Sequence, residues 1–305
     1  MEGYGYKKIN AFTAPGSLGN PAACIYLKEN ETMTGEEMQE VARQHKGFVS
    51  EVVYLKELKP EEYRLTYYSS ECEVDFCGHG TVACMYSLIS STPKLMDRKE
   101  IPVYTSRKGK IIVYNRILEE DAIYISAPEP VYMKSKVTPA SVAGFLGIPE
   151  ESLSLSDPLD FIDGGLKTLI VPVSTLSEEV SMYPDIGILR EFCLTNGIDI
   201  ILVYSFEVKN KKHFAHTRVF APKFGYLEDP ATGSGNSAFG YYLLKQRLWD
   251  GRPIAIEQGG IRMAYNTVRL YSDNSRVMFG GAAADSIVGK IIISRGDIKY
   301  GRFNS

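Results

Sequence analysis

Two glycine-rich turns, Cys77-Gly78-His79-Gly80 and Thr232-Gly233-Ser234-Gly235, stand 155 residues apart in a chain of 305. The spacing is half the chain, and similar segments precede each turn in the same order. "GNPAACIYL" from Gly19 is echoed by "GGLKTLIVPV" from Gly164. A helical pattern follows each, then an apolar strand, "SEVVYL" or "IDIILVY". Next comes an Arg-led strand, with Arg64 14 residues before Gly78 and Arg218 15 residues before Gly233. Four matches in one order predict a duplicated chain with two similar units. A pseudo-twofold pair would face its two turns across a cleft, where small-molecule sites tend to form.

The local patterns alternate between helix and strand. "TGEEMQEVARQH" opens with Thr34 and Glu37 at capping-box spacing and puts Met38, Val41 and Ala42 on one side. "PASVAGFLGI", "DIGILREFCLTNG" and "SAFGYYLLKQRL" predict further helices, the second closed by Asn196-Gly197. "SEVVYLKE", "YRLTYYS", "KIIVYN", "AIYIS", "TLIVPV", "IDIILVYSF" and "RVMFGG" predict strands, rich in Val, Ile and Tyr. The basic cluster Lys209, Lys211, Lys212 predicts a hairpin tip.

Charge and cysteine usage narrow the function classes. A net charge of -3 gives no general reason to expect nucleic acid or an acidic membrane as partner. The longest apolar run, "IDIILVYSF", falls far short of a bilayer span, and the first residues lack the apolar stretch of a signal peptide. Five scattered cysteines argue against a disulfide scaffold and for a reducing cytoplasm.

Each motif admits two chemistries. A Gly-polar-Gly turn before a helix offers free N–H groups and the positive end of the helix dipole to a carboxylate or phosphate, or simply shapes a strand-to-helix turn. "GSGNSA" also fits a dinucleotide fingerprint, but "YLEDPAT" before it is a poor buried strand, so nicotinamide is excluded. Cys72, Cys77 and His79 lack a distant second ligand pair, since His213 and His216 fall in another strand region, and no metal is expected. Alternation puts Val49, Glu51, Val53 and Leu55 on one strand face. A carboxyl in that row is either a desolvated proton shuttle with a raised pKa or an edge glutamate reaching solvent. Asp229, upstream of the second turn, is either a hydrogen-bond acceptor for a substrate or a turn residue before Pro230.

"NAFTAPGSLGNPAAC", "GFVSEVVYL", "CGHGT" and "RVFAPKFGYLEDPATGSGNSA" together resemble the PhzF-like (phenazine-biosynthesis-like) isomerase family, from about Ile9 to Lys290. The resemblance implies the diaminopimelate-epimerase fold: an α/β chain of α+β type with two pseudo-symmetric domains, each a curved, mostly antiparallel sheet around a central helix. The expected division is 1–128 and 129–285, with the terminal strand 286–305 returning to the first domain. The site would lie between them.

By the same resemblance, Glu51 shuttles a proton within a small cyclic or amino-acid-like carboxylate, without a cofactor. His79 and Asp229 hold and polarise substrate groups. Gly78, Gly80, Gly233, Ser234 and Gly235 bind the substrate, and Cys77 stands beside the site. A homodimer is also implied. Related racemases of this fold use one cysteine at each turn, whereas this chain has Cys77 at the first and Thr232 at the second. A symmetric two-thiol racemase is therefore not expected, though an epimerase, racemase or dehydratase with Cys77 as a single base, or a non-catalytic small-molecule-binding protein, remain rival readings. "GYG", "YSS" and "RMAYNTV" depart from the commoner family wording at pocket-forming places, so the resemblance leaves the substrate open.

Overall fold

The computed structural model describes residues 3–154, 156–261 and 263–293. The first half contains β1 (Gly3–Thr13), β2 (Asn20–Leu27), α1 (Gly35–Gln44), β3 (Glu51–Lys59), β4 (Glu62–Ser69), β5 (Glu73–Val74), α2 (Gly78–Ser91), α3 (Pro93–Met96), β6 (Glu100–Thr105), β7 (Gly109–Asn115), α4 (Ile117–Glu120) and β8 (Ile123–Ser126). The second contains β9 (Val131–Met133), α5 (Pro139–Leu146), β10 (Asp160–Asp163), β11 (Lys167–Pro172), α6 (Leu176–Ser181), α7 (Ile186–Asn196), β12 (Ile200–Ser205), β13 (Ala215–Phe220), β14 (Glu228–Asp229), α8 (Gly233–Lys245), β15 (Ile254–Gln258), β16 (Asn266–Asp273) and β17 (Arg276–Ile292).

The repeat is visible in the pairing. In the first half β2 runs parallel to β3 and β4 parallel to β6, with the remaining neighbours antiparallel. In the second half β11 is parallel to β12 and β13 to β15. The two-residue strands β5 and β14 occupy matching places beside β4 and β13. Strand β17 belongs to both halves: it pairs with β16 through Gly280 and β8 through Gly281, and then with β1 to Ile292. The first sheet thereby closes into a ring, β17-β1-β2-β3-β4-β6-β7-β8-β17. Of the expected terminal strand, β17 supplies the part to Ile292; residues 294–305 lie outside the described residues.

Composition explains why the sheets curl. Helix α2 buries Thr81, Val82, Ala83, Cys84, Met85, Ser87 and Ile89, and α8 buries Gly235 through Leu243 without a break. A helix with no polar face is stable only when surrounded. Both belong to the main core, with Val53, Leu55, Leu202, Val219 and Phe279 from the strands around them.

Local signals hold where their chemistry is self-contained. Thr34 Oγ1 accepts from Glu37 N at 3.1 Å while Glu37 Oε2 accepts from Thr34 N at 2.8 Å, which completes the capping box of α1. Gly197 closes α7 at φ +66°, a conformation costly for residues with a Cβ. Lys209, Lys211 and Lys212 lie in the hairpin between β12 and β13, as expected. The expected four-residue face is shorter than it should be. Val53 and Leu55 face α2, but Val49 precedes β3 and packs with Val52 and Tyr54 in a separate cluster. Alternation starts only where the strand does, at Glu51.

Candidate active site

Helix α2 starts on Cys77, whose extended backbone (φ −131°, ψ 108°) turns the chain into Gly78. Its Sγ accepts from Gly80 N at 3.3 Å, so the thiol caps its own helix. A Cβ on Gly80 would lie 2.8 Å from Val53 Cγ2 and 3.0 Å from Cys77 Sγ, which accounts for glycine there. The second turn has the same backbone at Thr232 (φ −119°, ψ 112°), but its hydroxyl caps nothing in α8. It donates instead to Asp229 Oδ2 at 2.6 Å. The first N–H groups of any helix lack intrahelical acceptors, so α8 presents them unclaimed by its cap residue.

One ring joins the turns. A Cβ on Gly78 would stand 3.0 Å from Phe279 Cζ, and one on Gly233 2.7 Å from Phe279 Cδ2 and closer still to Cε2. The buried Phe279 side chain is thus pressed against the first glycine of both helices.

Glu51, at the first residue of β3, reaches the first turn. Its Oε2 lies 3.3 Å from His79 Nε2, and His79 Nδ1 lies 3.5 Å from Cys77 Sγ. The donor atoms of Glu51, Cys77 and His79 fall within 4.8 Å of one another. Glu51 Oε2 is buried and makes no hydrogen bond among the described residues. Burial first, and the charge of Asp229 second, raise the Glu51 carboxyl to about 7, against a weaker pull from Cys77. Burial lowers His79 to about 4, which leaves a neutral imidazole at pH 7. The Cys77 thiol is pushed well above its ordinary value by burial and by Glu51. Glu51 alone of the three changes charge near neutrality.

Asp229 is fixed from several sides. Asn20 Nδ2 donates to Asp229 Oδ1 at 2.7 Å and to Ala231 O at 2.8 Å. Gln258 Nε2 donates to Asp229 O at 3.0 Å, while Gln258 Oε1 accepts from Thr232 N and Asn236 Nδ2. Asn266 Nδ2 donates to Pro230 O, and its Oδ1 accepts from Gly19 N. Burial raises Asp229 to about 6, opposed by the hydrogen bonds from Thr232, Ala231 and Asn20.

The structure therefore brings Glu51, Cys77 and His79 together, with Asp229 close enough to act on the titration of Glu51 and Cys77. Ser234 sits on the second turn beside Gly165. Cys72 does not join the cluster: it is exposed, near Ser69 on the turn between β4 and β5. His213 and His216 pair with Glu257 and Glu179 elsewhere. As for metal, three donors of suitable type converge, yet a ligating cysteine must lose its proton, and the environment of Cys77 opposes that. Asn20, Gln258 and Asn266 were not singled out in the sequence, and Thr232 was noted only as the counterpart of Cys77. The partners of Asn20, Gln258 and Asn266 are distant in the chain; Asn20 lay in the quoted "GNPAAC" and Asn266 in "RMAYNTV", Gln258 in no quoted stretch.

The fold, with a central helix in each half and a carboxyl, an imidazole and a thiol gathered at one helix start, defines an enzyme of the diaminopimelate-epimerase architecture. The phenazine biosynthesis-like (PhzC-PhzF) family matches residues 9–288, and the chain belongs to it. Its function is of the isomerase type. The chain is similar to "Antisense-enhancing sequence 1" of Schizosaccharomyces pombe, 29% identical over 96% of this chain and 100% of that one. It is also similar to "Uncharacterized isomerase YfhB" of Bacillus subtilis, 28% identical over 83% of this chain and 85% of the relative. Among solved structures, a PhzF-family phenazine biosynthesis protein from Bacillus anthracis superposes with a TM-score of 0.81 at 24% identity. It covers 96% of this chain and 100% of its own.

Proposed function

We propose that the protein is a cofactor-independent isomerase that moves a proton within a small carboxylate-bearing substrate held between its two halves, taken as domains 1–128 and 129–285. The observation that carries this reading is the Glu51 carboxyl, raised to about 7 beside a neutral imidazole. A group that accepts and then returns a proton works best with a pKa near the working pH. The starts of α2 and α8 suit the substrate carboxylate, through Gly78 and Gly80 on one side and Gly233, Ser234 and Gly235 on the other.

In this mechanism Glu51 takes a proton from a carbon next to an activating group and becomes neutral. With the Cys77 thiol facing Nδ1, His79 carries its own proton on Nε2 and offers it toward Glu51 and the charge that develops on the substrate. Asp229, oriented by Asn20 and Thr232, holds an amine or hydroxyl of the substrate. Glu51 then returns the proton at another carbon. We further propose a homodimer in a reducing, cytoplasmic compartment, where the five free cysteines would stay reduced. No helix among the described residues is long and apolar enough to cross a membrane.

The test is solvent deuterium. Glu51→Gln should abolish deuterium incorporation into a turned-over candidate carboxylate while its binding, followed by calorimetry, changes little. Exchange at the wild-type rate would remove Glu51 as the shuttle.

A further inference from the structure

Strand β17 continues beyond the sheet that it shares with β16 and β8. From Ala282 to Ile292 it has β1 along one edge, whereas β8 reaches only Gly281 on the other. Among the described residues no strand pairs with that second edge beyond Gly281. All seven residues from Ala284 to Lys290 are exposed, so neither face is covered. Val288 is 68% exposed, Ile287 43% and Ile292 56%. Long exposed edges rich in β-branched residues recruit further strands, and natural proteins cover or blunt them.

The order of side chains along this edge states what would fit it. A bulge at Ser286, whose hydroxyl donates to Lys8 O at 3.0 Å, shifts the register so that Ile9 faces Asp285 and Lys8 faces Ile287. Asp285, Val288 and Lys290 then share the face that carries Lys7, and Lys7 Nζ lies 2.8 Å from Asp285 Oδ2. Lys290 has no carboxylate within salt-bridge distance among the described residues.

We propose that this edge pairs antiparallel with the same edge of a second copy, about a twofold axis at Val288. In that register Val288 meets its own counterpart and Ile287 meets Gly289 of the other copy. Asp285 meets Lys290 of the other copy, twice by symmetry. Every charge on the edge faces its opposite, and the contact closes on itself, so two copies satisfy it without leading to a filament. The proposal gives the homodimer suggested above its surface, and it stands apart from the proton chemistry.

Sedimentation velocity of the full chain tests it. The wild type should sediment as a dimer. Lys290→Glu, which sets like charges opposite Asp285, and Val288→Lys, which places two cations on the axis, should each weaken dimerisation at least about tenfold. Circular dichroism of those monomers should stay as in the wild type, and their melting should remain cooperative and become independent of concentration. Adding Asp285→Lys to Lys290→Glu should recover dimer. If both single variants remain dimeric, the homodimer stands and this surface is wrong. If the wild type is monomeric, both fail. If removing residues 294–305 then produces dimer, the edge belongs to the chain's own terminus.

Discussion

Glu51 and His79 meet at 3.3 Å, carboxylate Oε2 to imidazole Nε2, and burial moves their pKa values in opposite directions past each other. Near neutral pH the pair thus holds a partly protonated acid beside an uncharged base. Glu51 can gain and lose a proton there while His79 stays neutral, so no strongly bound ion pair has to be broken at each turnover.

This arrangement makes stability depend on pH in a defined direction. Folded Glu51 titrates near 7, above its ordinary 4.5, so the folded state binds more protons between these values and loses stability as pH rises through them. Glu51→Gln removes that loss. Denaturation at several pH values should show the variant gaining on the wild type, by roughly 2–3 kcal/mol between pH 4.5 and pH 7. His79 acts in the opposite sense, since its lowered pKa withdraws stability as pH falls from 6.5 through about 4.

Asp229 raises the Glu51 carboxyl through its charge. Asp229→Asn should therefore move the acid limb of the deuterium-exchange profile, set by Glu51, to lower pH. An unmoved limb with only a reduced rate would mean that Asp229 holds substrate without tuning the shuttle.

Cys77 serves as a helix cap and is buried with a raised pKa, while Cys72 is exposed. Iodoacetamide at neutral pH should label Cys72 first and spare Cys77, as peptide mass spectrometry would show. Cys77→Ser keeps a capping oxygen for Gly80 N and should retain activity within about tenfold, whereas a thiol base would lose far more.

Gly233 has no room for a methyl group beside Phe279. Gly233→Ala should cost about 1–3 kcal/mol in chemical denaturation. Combined with Phe279→Leu, the cost should be clearly less than the sum of the two single changes, because the smaller side chain frees the space that alanine needs.

Elements whose rules are local were legible in the sequence: the Thr34–Glu37 box, the Gly197 stop and the two glycine turns. Glu51 was legible through strand alternation, although Val49 was wrongly included because parity has no meaning before the strand begins. The clasp of Asn20, Gln258 and Asn266 around Asp229 was not legible, since those contacts span 22 to 247 residues and rest on common polar side chains. Symmetry also misled at one point. Arg64 and Arg218 hold matching places in the repeat, but Arg64 is exposed, while Arg218 is buried against Glu228 and the carbonyls at the end of α6. Phe279 read only as part of a strand, because sequence does not tell what a buried ring touches.

That ring has a consequence for how the chain can change. After a duplication, two copies of a motif ordinarily drift apart freely. Here positions 78 and 233 share one neighbour, so neither can enlarge unless position 279 shrinks. A library randomised at these three positions should yield survivors as matched triplets, and the two halves would keep a common history written in a residue that belongs to neither turn.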